Sequence, residues 1–316
     1  MDPLAKRRIG KTNLYVTCLG LGCAGLARSD NDEQANKTFH AAFNQGINYF
    51  DTAPLYGRGL SEIRLGHALK KQKRETFIIS TKVGRIVKSD NKESPIEVGY
   101  DYSGKGILES YNESLRRLKV EKVDILFIHD PDNYYETAIN EAYPTLDKLR
   151  SNGFVQAIGA GMNQWKMELR FAEEGDFDCF LLAGRYTLLE QTALKEFLPY
   201  CLEHKISVII GGPYNSGILA SNRESEGRYN YREAPRDIIE KANRLKELCM
   251  EFNVPLKAAS LQFVLAHPAV ASVIPGTKSP EHQVENFDLM KFPIPYEFWD
   301  ALKDRDIIDE EAPTPR

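Results

Sequence analysis

Four polar residues stand where apolar segments of this 316-residue chain end or turn. Asp51 closes Ile47-Asn-Tyr-Phe-Asp51, Lys82 closes Thr76-Phe-Ile-Ile-Ser-Thr-Lys82, and His129 closes Val123-Asp-Ile-Leu-Phe-Ile-His129. Tyr56 follows Asp51 in a loop broken by Pro54 and Gly57. Their chemistry is coherent. A phenol titrates near pH 10, so it is a poor base at neutral pH unless a cation stabilises its anion. Lys82 could be that cation, and Asp51 could hold the lysine charged and oriented. His129 could hydrogen-bond a substrate oxygen. Together they would carry a proton to or from a carbonyl or hydroxyl oxygen. Singly, each has a plainer reading: a turn aspartate, a packed tyrosine, a surface lysine, a satisfied core histidine. Polar residues at the ends of three successive apolar runs are harder to reach by accident than any one of them.

The elements that must position them follow from periodicity. Strands are predicted over 18–22, 47–51, 76–82, 123–129, 155–160, 180–183, 206–211 and 271–275. Helical spacing predicts helices over 32–44, 61–71, 107–118, 135–151, 165–174, 193–204, 237–252 and 256–266, and from 280 onward. Residues 8–17 read as a hairpin turning at Gly10 to Asn13. Strands alternating with helices predict an α/β fold, a (β/α)8 TIM barrel with an N-terminal β-hairpin, as one domain over 1–316. In such a barrel, chemistry sits at the C-terminal ends of the strands. The competing architecture is an open doubly wound sheet. Gly20-Leu-Gly22-Cys-Ala-Gly25 is read as spaced differently from G-x-G-x-x-G, its glycines running on without a clear helix N-terminus, which counts against it. Two long polar loops, 83–106 and 215–235, are expected to line the pocket, and Tyr102, Asp130, Asp132 and Arg185 are candidates to meet substrate hydroxyls.

Composition narrows the function further. A net charge of -4 offers no basic field for a phosphate backbone, which argues against nucleic-acid binding. Five scattered cysteines without a CxxC read as reduced thiols packed in a core, and so as a cytoplasmic protein. The first residues lack an apolar signal region, and no apolar run is long enough to cross a bilayer. No metal site is expected: only His129 of six histidines closes a strand, and no HxH occurs.

Asp51-x4-Tyr56-Gly57, Ser80-Thr-Lys82-Val and Asp124-Ile-Leu-Phe-Ile-His129 resemble the catalytic signature of the aldo-keto reductase superfamily. The resemblance runs from Leu19-Gly-Leu-Gly22 to Ile274-Pro-Gly-Thr-Lys278 and Glu285-Asn286. Asp101-Tyr-Ser103, His129-Asp-Pro-Asp132 and Leu182-Ala-Gly-Arg-Tyr-Thr-Leu-Leu-Glu190 are similar to the D-threo-aldose 1-dehydrogenase group, also called L-fucose dehydrogenases, with pyridoxal 4-dehydrogenase a near relative. The resemblance implies hydride transfer between a nicotinamide cofactor and a sugar or other small carbonyl compound, with Tyr56 exchanging the proton. General aldehyde or ketone reduction is the looser alternative. A non-catalytic regulatory barrel, like the β subunits of potassium channels, is the alternative of another class. The resemblance also places cofactor contacts at Asn163, Gly276, Thr277, Lys278, His282, Glu285 and Asn286. The chain departs from the superfamily elsewhere. Gly161-Met-Asn163 replaces the usual Ser-Asn pair, Ala183 a glutamine, and Gly211 an aromatic. His282 stands where an arginine often clamps a 2′-phosphate, and a neutral imidazole lacks arginine's fixed fork, so NAD is expected over NADP.

Overall fold

The structure is a computed structural model and describes residues 1–87, 98–221 and 227–316. Eight parallel strands form the barrel: β1 (Leu21–Gly22), β2 (Tyr49–Asp51), β3 (Ile78–Val83), β4 (Ile125–His129), β5 (Ala157–Met162), β6 (Cys179–Ala183), β7 (Ser207–Gly211) and β8 (Val270–Ile274). They pair in chain order. Parallel bridges Leu19↔Val273 and Gly22↔Gly276 join the first strand to the last, so the sheet curls into a barrel. Helices α1 (Asp32–Asn44), α2 (Leu60–Leu69), α3 (Gly104–Leu118), α4 (Tyr143–Ser151), α5 (Trp165–Glu174), α6 (Phe197–Glu203), α7 (Arg236–Glu251), α8 (Leu256–Leu265), α9 (Pro280–Lys291) and α10 (Tyr296–Asp304) surround it.

The strands are short and apolar because both faces are buried. Side chains alternate across the sheet. Phe50, Ile79, Leu126, Ile128 and Ile158 face the helices, while Tyr49, Ile78, Ile125, Phe127 and Ala157 fill the barrel. The predicted hairpin forms from Lys6–Arg8 and Tyr15–Thr17, and its Ile9, Leu14 and Val16 join the interior cluster. It seals the N-terminal mouth. Gly10 N–H donates to Ser207 Oγ at 2.8 Å, and Arg7 Nη1 donates to Leu265 O and Val270 O.

Several elements differ from the sequence expectation. The loop 83–106 holds a two-stranded ribbon, Arg85–Val87 against Val98–Tyr100, and α3 starts earlier than expected because Ser103 caps it by accepting from Gly106 N–H. Residues 88–97 lie outside the described residues, as do 222–226 in the second long loop. That loop carries a 3-10 turn, Asn215–Ala220, and a small ribbon, Arg228–Tyr229 with Arg232–Glu233. The helix expected over 193–204 shortens to Phe197–Glu203, with turns before it. The run 135–151 is interrupted by a π turn, Ala138–Ala142. Helix α10 was not anticipated. Gly20-Leu-Gly22-Cys-Ala-Gly25 does carry G-x-G-x-x-G spacing, but a 3-10 segment, Cys23–Arg28, follows it in place of an α-helix. Gly25 serves packing instead, since a Cβ there would sit 1.8 Å from Thr277 O. No helix of the described residues is long and apolar enough to cross a membrane.

Candidate active site

Asp51, Lys82 and His129 end three neighbouring strands with their side chains turned into the barrel, as the alternation from Tyr49, Ser80 and Phe127 dictates. Lys82 Nζ donates to Asp51 Oδ2 at 2.7 Å, to Asp51 Oδ1 at 3.0 Å and to Thr52 O at 2.8 Å. Both side chains are buried, at 2% and 3% exposure, so this charge pair depends on those hydrogen bonds. Burial alone would lower the lysine pKa; Asp51, with its charge and its hydrogen bonds, raises it above the usual value. Beneath them Ser80 Oγ donates to Asp51 Oδ1 at 2.7 Å and lies 2.9 Å from Tyr49 OH. A polar column therefore rises through the barrel from Tyr49 to Lys82.

Tyr56 stands on the loop after β2, half-buried. Thr52 Oγ1 and Ser61 Oγ meet at 2.8 Å across the base of that loop, and Ser61 also donates to Cys23 O. Lys82 Nζ lies 4.7 Å from the Tyr56 ring centroid, and the His129 ring meets Tyr56 edge-on at 6.2 Å. All four sequence-predicted catalytic residues are thus together at the open mouth. One expectation is corrected. Lys82 does not bring the free phenol down toward neutral pH. Burial is the largest influence and pushes Tyr56 up to about 12; Lys82 opposes this, and Asp51 partly cancels the opposition. His129 is held well below its usual value by burial first, then by Lys82 and Arg85, so its imidazole is neutral. Its Nδ1 is buried and has no partner among the described residues. The arrangement can donate a proton from Tyr56 and a hydrogen bond from His129 to one oxygen.

The residues expected to hold a dinucleotide form a second group. Gly276, Thr277 and Lys278 follow β8, and His282, Glu285 and Asn286 lie on α9. Asn286 Nδ2 donates to Thr277 Oγ1 at 3.2 Å, and Ser29 Oγ pins Lys278 O at 2.8 Å. Ser279 caps α9, leaving the exposed Lys278 and His282 beside a helix N-terminus that suits an anionic group. Glu285 is engaged by Lys257 at 2.8 Å. Asn163 lies apart, at the end of β5. Its Nδ2 donates to Ala183 O at 2.7 Å, and its side-chain oxygen is an acceptor of the kind a carboxamide needs. These residues fit a nicotinamide dinucleotide.

Other placements revise the sequence reading. Tyr102 is 2% exposed and donates to His129 O and Asp130 O, so it braces the mouth and does not face a substrate. Arg185 is occupied by Glu190 and Asn230. Sequence reasoning missed Tyr214, whose hydroxyl donates to Asn286 Oδ1 at 2.7 Å, and missed Arg85, paired with Asp130. The aromatic absent at Gly211 was the available signal for Tyr214, three residues on. All five cysteines are free and buried; burial pushes the Cys23 thiol well up, which suits packing and not nucleophilic attack.

The fold and site are thus those of a (β/α)8 barrel with a Lys–Asp pair, a tyrosine and a neutral histidine around its C-terminal mouth. The chain belongs to the aldo/keto reductase family, whose family model matches residues 18–307. It is therefore an oxidoreductase dependent on NAD or NADP. It is 37% identical to the pyridoxal 4-dehydrogenase of Microbacterium luteolum, over 96% of this chain and 98% of that protein. It is 36% identical to the D-threo-aldose 1-dehydrogenase of a Pseudomonas species, over 96% of both. It is 27% identical to the NADH-specific methylglyoxal reductase of Escherichia coli, over 90% of this chain and 92% of that protein. Among solved structures it superposes on an aldo-keto reductase of Bacillus halodurans in its holo form, with a TM-score of 0.80, 28% identity and coverage of 98% and 99%.

Proposed function

We propose that the protein is an aldose 1-dehydrogenase acting on L-fucose and D-threo-aldoses. The observation that carries this is the hydrogen-bonded Asp51–Lys82 pair beneath Tyr56 and His129 at the open mouth. The 36% identity to a D-threo-aldose 1-dehydrogenase supports the substrate class. In oxidation, the ionised Tyr56 oxygen takes the proton of the substrate hydroxyl, and the neutral His129 hydrogen-bonds the same oxygen. The nicotinamide, when bound, accepts the hydride. Asn163 would hold its carboxamide, and Gly276, Thr277, Lys278, His282, Glu285 and Asn286 would hold the rest of the dinucleotide. NAD is the preferred cofactor in this reading, because His282 lacks arginine's fork; the NADH-specific relative supports it. The five unpaired thiols support a reducing compartment such as the cytoplasm. Pyridoxal is the second substrate reading, favoured by the 37% identity to pyridoxal 4-dehydrogenase.

The test is the nicotinamide absorbance on mixing the protein with NAD or NADP and a panel of aldoses and pyridoxal. Turnover on aldoses is expected for the wild type. Tyr56→Phe should lose it while still binding cofactor. Turnover within about tenfold of wild type in that variant, roughly 1.4 kcal/mol of barrier, rules Tyr56 out as the proton-exchanging group.

A further inference from the structure

A second charged pair stands beside the catalytic imidazole. Asp130 Oδ2 lies 3.7 Å from His129 Nε2 and is ion-paired with Arg85 Nη1. Three features show that this corner is constructed. The Asp130 backbone is left-handed, with φ at 43°, a conformation uncommon outside glycine but tolerated by Asp and Asn. Its N–H donates to Gly161 O at 3.1 Å, tying it to β5. The Tyr102 hydroxyl donates to the carbonyls of both His129 and Asp130, at 2.7 and 2.9 Å. Gly84, at φ 93°, is needed for this brace, because a Cβ there would sit 2.2 Å from the Tyr102 ring. The turn at Gly84 then delivers Arg85 to the carboxylate.

Such a pair is a weak stabiliser, since partial burial costs desolvation that the Coulomb attraction only roughly offsets. Strained backbone and a costly ion pair together at an active site point to function. The pair is also reachable: the Arg85 and Asp130 side chains are 21% and 25% exposed. Burial raises the Asp130 pKa and Arg85 opposes that; as the partner of the Arg85 guanidinium, the Asp130 carboxylate offers acceptor oxygens. A carboxylate this close to the His129 imidazole is placed for the next oxygen along a carbohydrate.

We propose that Asp130 and Arg85 form a hydroxyl-recognition subsite, in which Asp130 accepts from the hydroxyl neighbouring the reacting carbon and Arg85 orients the carboxylate. The subsite selects polyhydroxylated substrates over compounds with the same reacting group and no neighbouring hydroxyl. This rests on the aldose reading above and deepens it.

The experiment compares kcat/KM for an aldohexose panel with that for 2-hydroxytetrahydropyran, a ring lactol without the other hydroxyls. The variants are Asp130→Asn, which keeps a side chain tolerant of the left-handed backbone, and Arg85→Gln. In Asp130→Asn the aldose-to-lactol ratio should fall about tenfold or more, mainly through aldose KM, as expected for losing a hydrogen bond to a charged group. Arg85→Gln should lower the ratio less. A merely structural role would depress both substrates together and leave the ratio within twofold in both variants, and that result overturns the proposal. If Asp130→Asn does not fold, the ratio in Arg85→Gln decides. A wild type that turns over the lactol but no aldose overturns the substrate reading along with the subsite; activity on aldoses with an unmoved ratio overturns the subsite alone.

Discussion

Tyr56 and Lys82 stand together at the mouth, the lysine nitrogen 4.7 Å from the phenol ring centroid. Their roles as proton exchanger and pKa tuner are proposals, and they make a specific demand on pH. The phenol sits near 12 in the free protein because desolvation outweighs the lysine. Oxidation requires the phenolate, so its rate should climb with pH along an alkaline limb set by the coupled pair. Replacing Lys82 with Met removes the one lowering charge and leaves Asp51, 2% exposed, as an unopposed negative neighbour. Both changes push the phenol further up. The limb should move to higher pH and the oxidation rate at fixed pH should fall, roughly tenfold for each unit of upward shift. Asp51→Asn should act in the same direction more weakly, by misorienting the lysine. The pH profile of oxidation in wild type and both variants measures this; an unmoved limb in Lys82→Met shows that another group tunes the tyrosine.

Among elements, the turn after β8 and the helix α9 are the natural place for a cofactor phosphate. Ser279 satisfies one backbone N–H of α9, and His282 projects, exposed, from the first turn. An arginine at 282 would add a planar, permanently charged fork to that exposed position. His282→Arg should therefore improve kcat/KM for NADP relative to NAD, by about tenfold if one charged pair forms. Specificity constants already favouring NADP in the wild type would refute the proposed preference. The elements were unequally legible. Barrel strands such as β3 and β4 were readable because uninterrupted apolar runs mark strands buried on both faces. The ribbon of Arg85–Val87 and Val98–Tyr100 was not, because neither of its three-residue strands alternates apolar and polar side chains. Helix α6 lost its first predicted turn because burial of Ala193 and Leu194 is achieved by turns.

At the scale of the molecule, buried histidines link stability to acid. His267 lies two residues past α8, 5% exposed, with Nδ1 accepting from Ala269 N–H and its ring edge-on to Tyr186. Burial lowers its pKa from 6.5 to about 4. Between those values the unfolded chain binds the proton and the folded chain does not. The stability contributed is full above pH 6.5 and is lost as pH falls toward 4, by about 3 kcal/mol in all. Denaturant midpoints between pH 7 and 4 should fall accordingly. The slope should flatten in His267→Gln, without vanishing, because His129 is depressed in the same direction. An unchanged slope in that variant would remove His267 from the account.

By itself the sequence determined the barrel, because a strand–helix period and apolar runs of a few residues are local properties of a chain that must bury both faces of a parallel sheet. It also brought Asp51, Lys82 and His129 together, because the C-terminal ends of successive strands must become neighbours once the sheet closes. Only the tertiary structure decided how that mouth works. The Ser80–Asp51–Lys82 column, the bracing of Asp130 by Tyr102 and Gly161, and the Tyr214–Asn286 bond join residues 29, 31, 28 and 72 positions apart, with the Gly161 link longer than either brace. No periodicity records such pairs. Nor could the sequence set the Tyr56 phenol near 12, because that value is a balance between burial and two opposite charges, and burial exists only after the chain has packed.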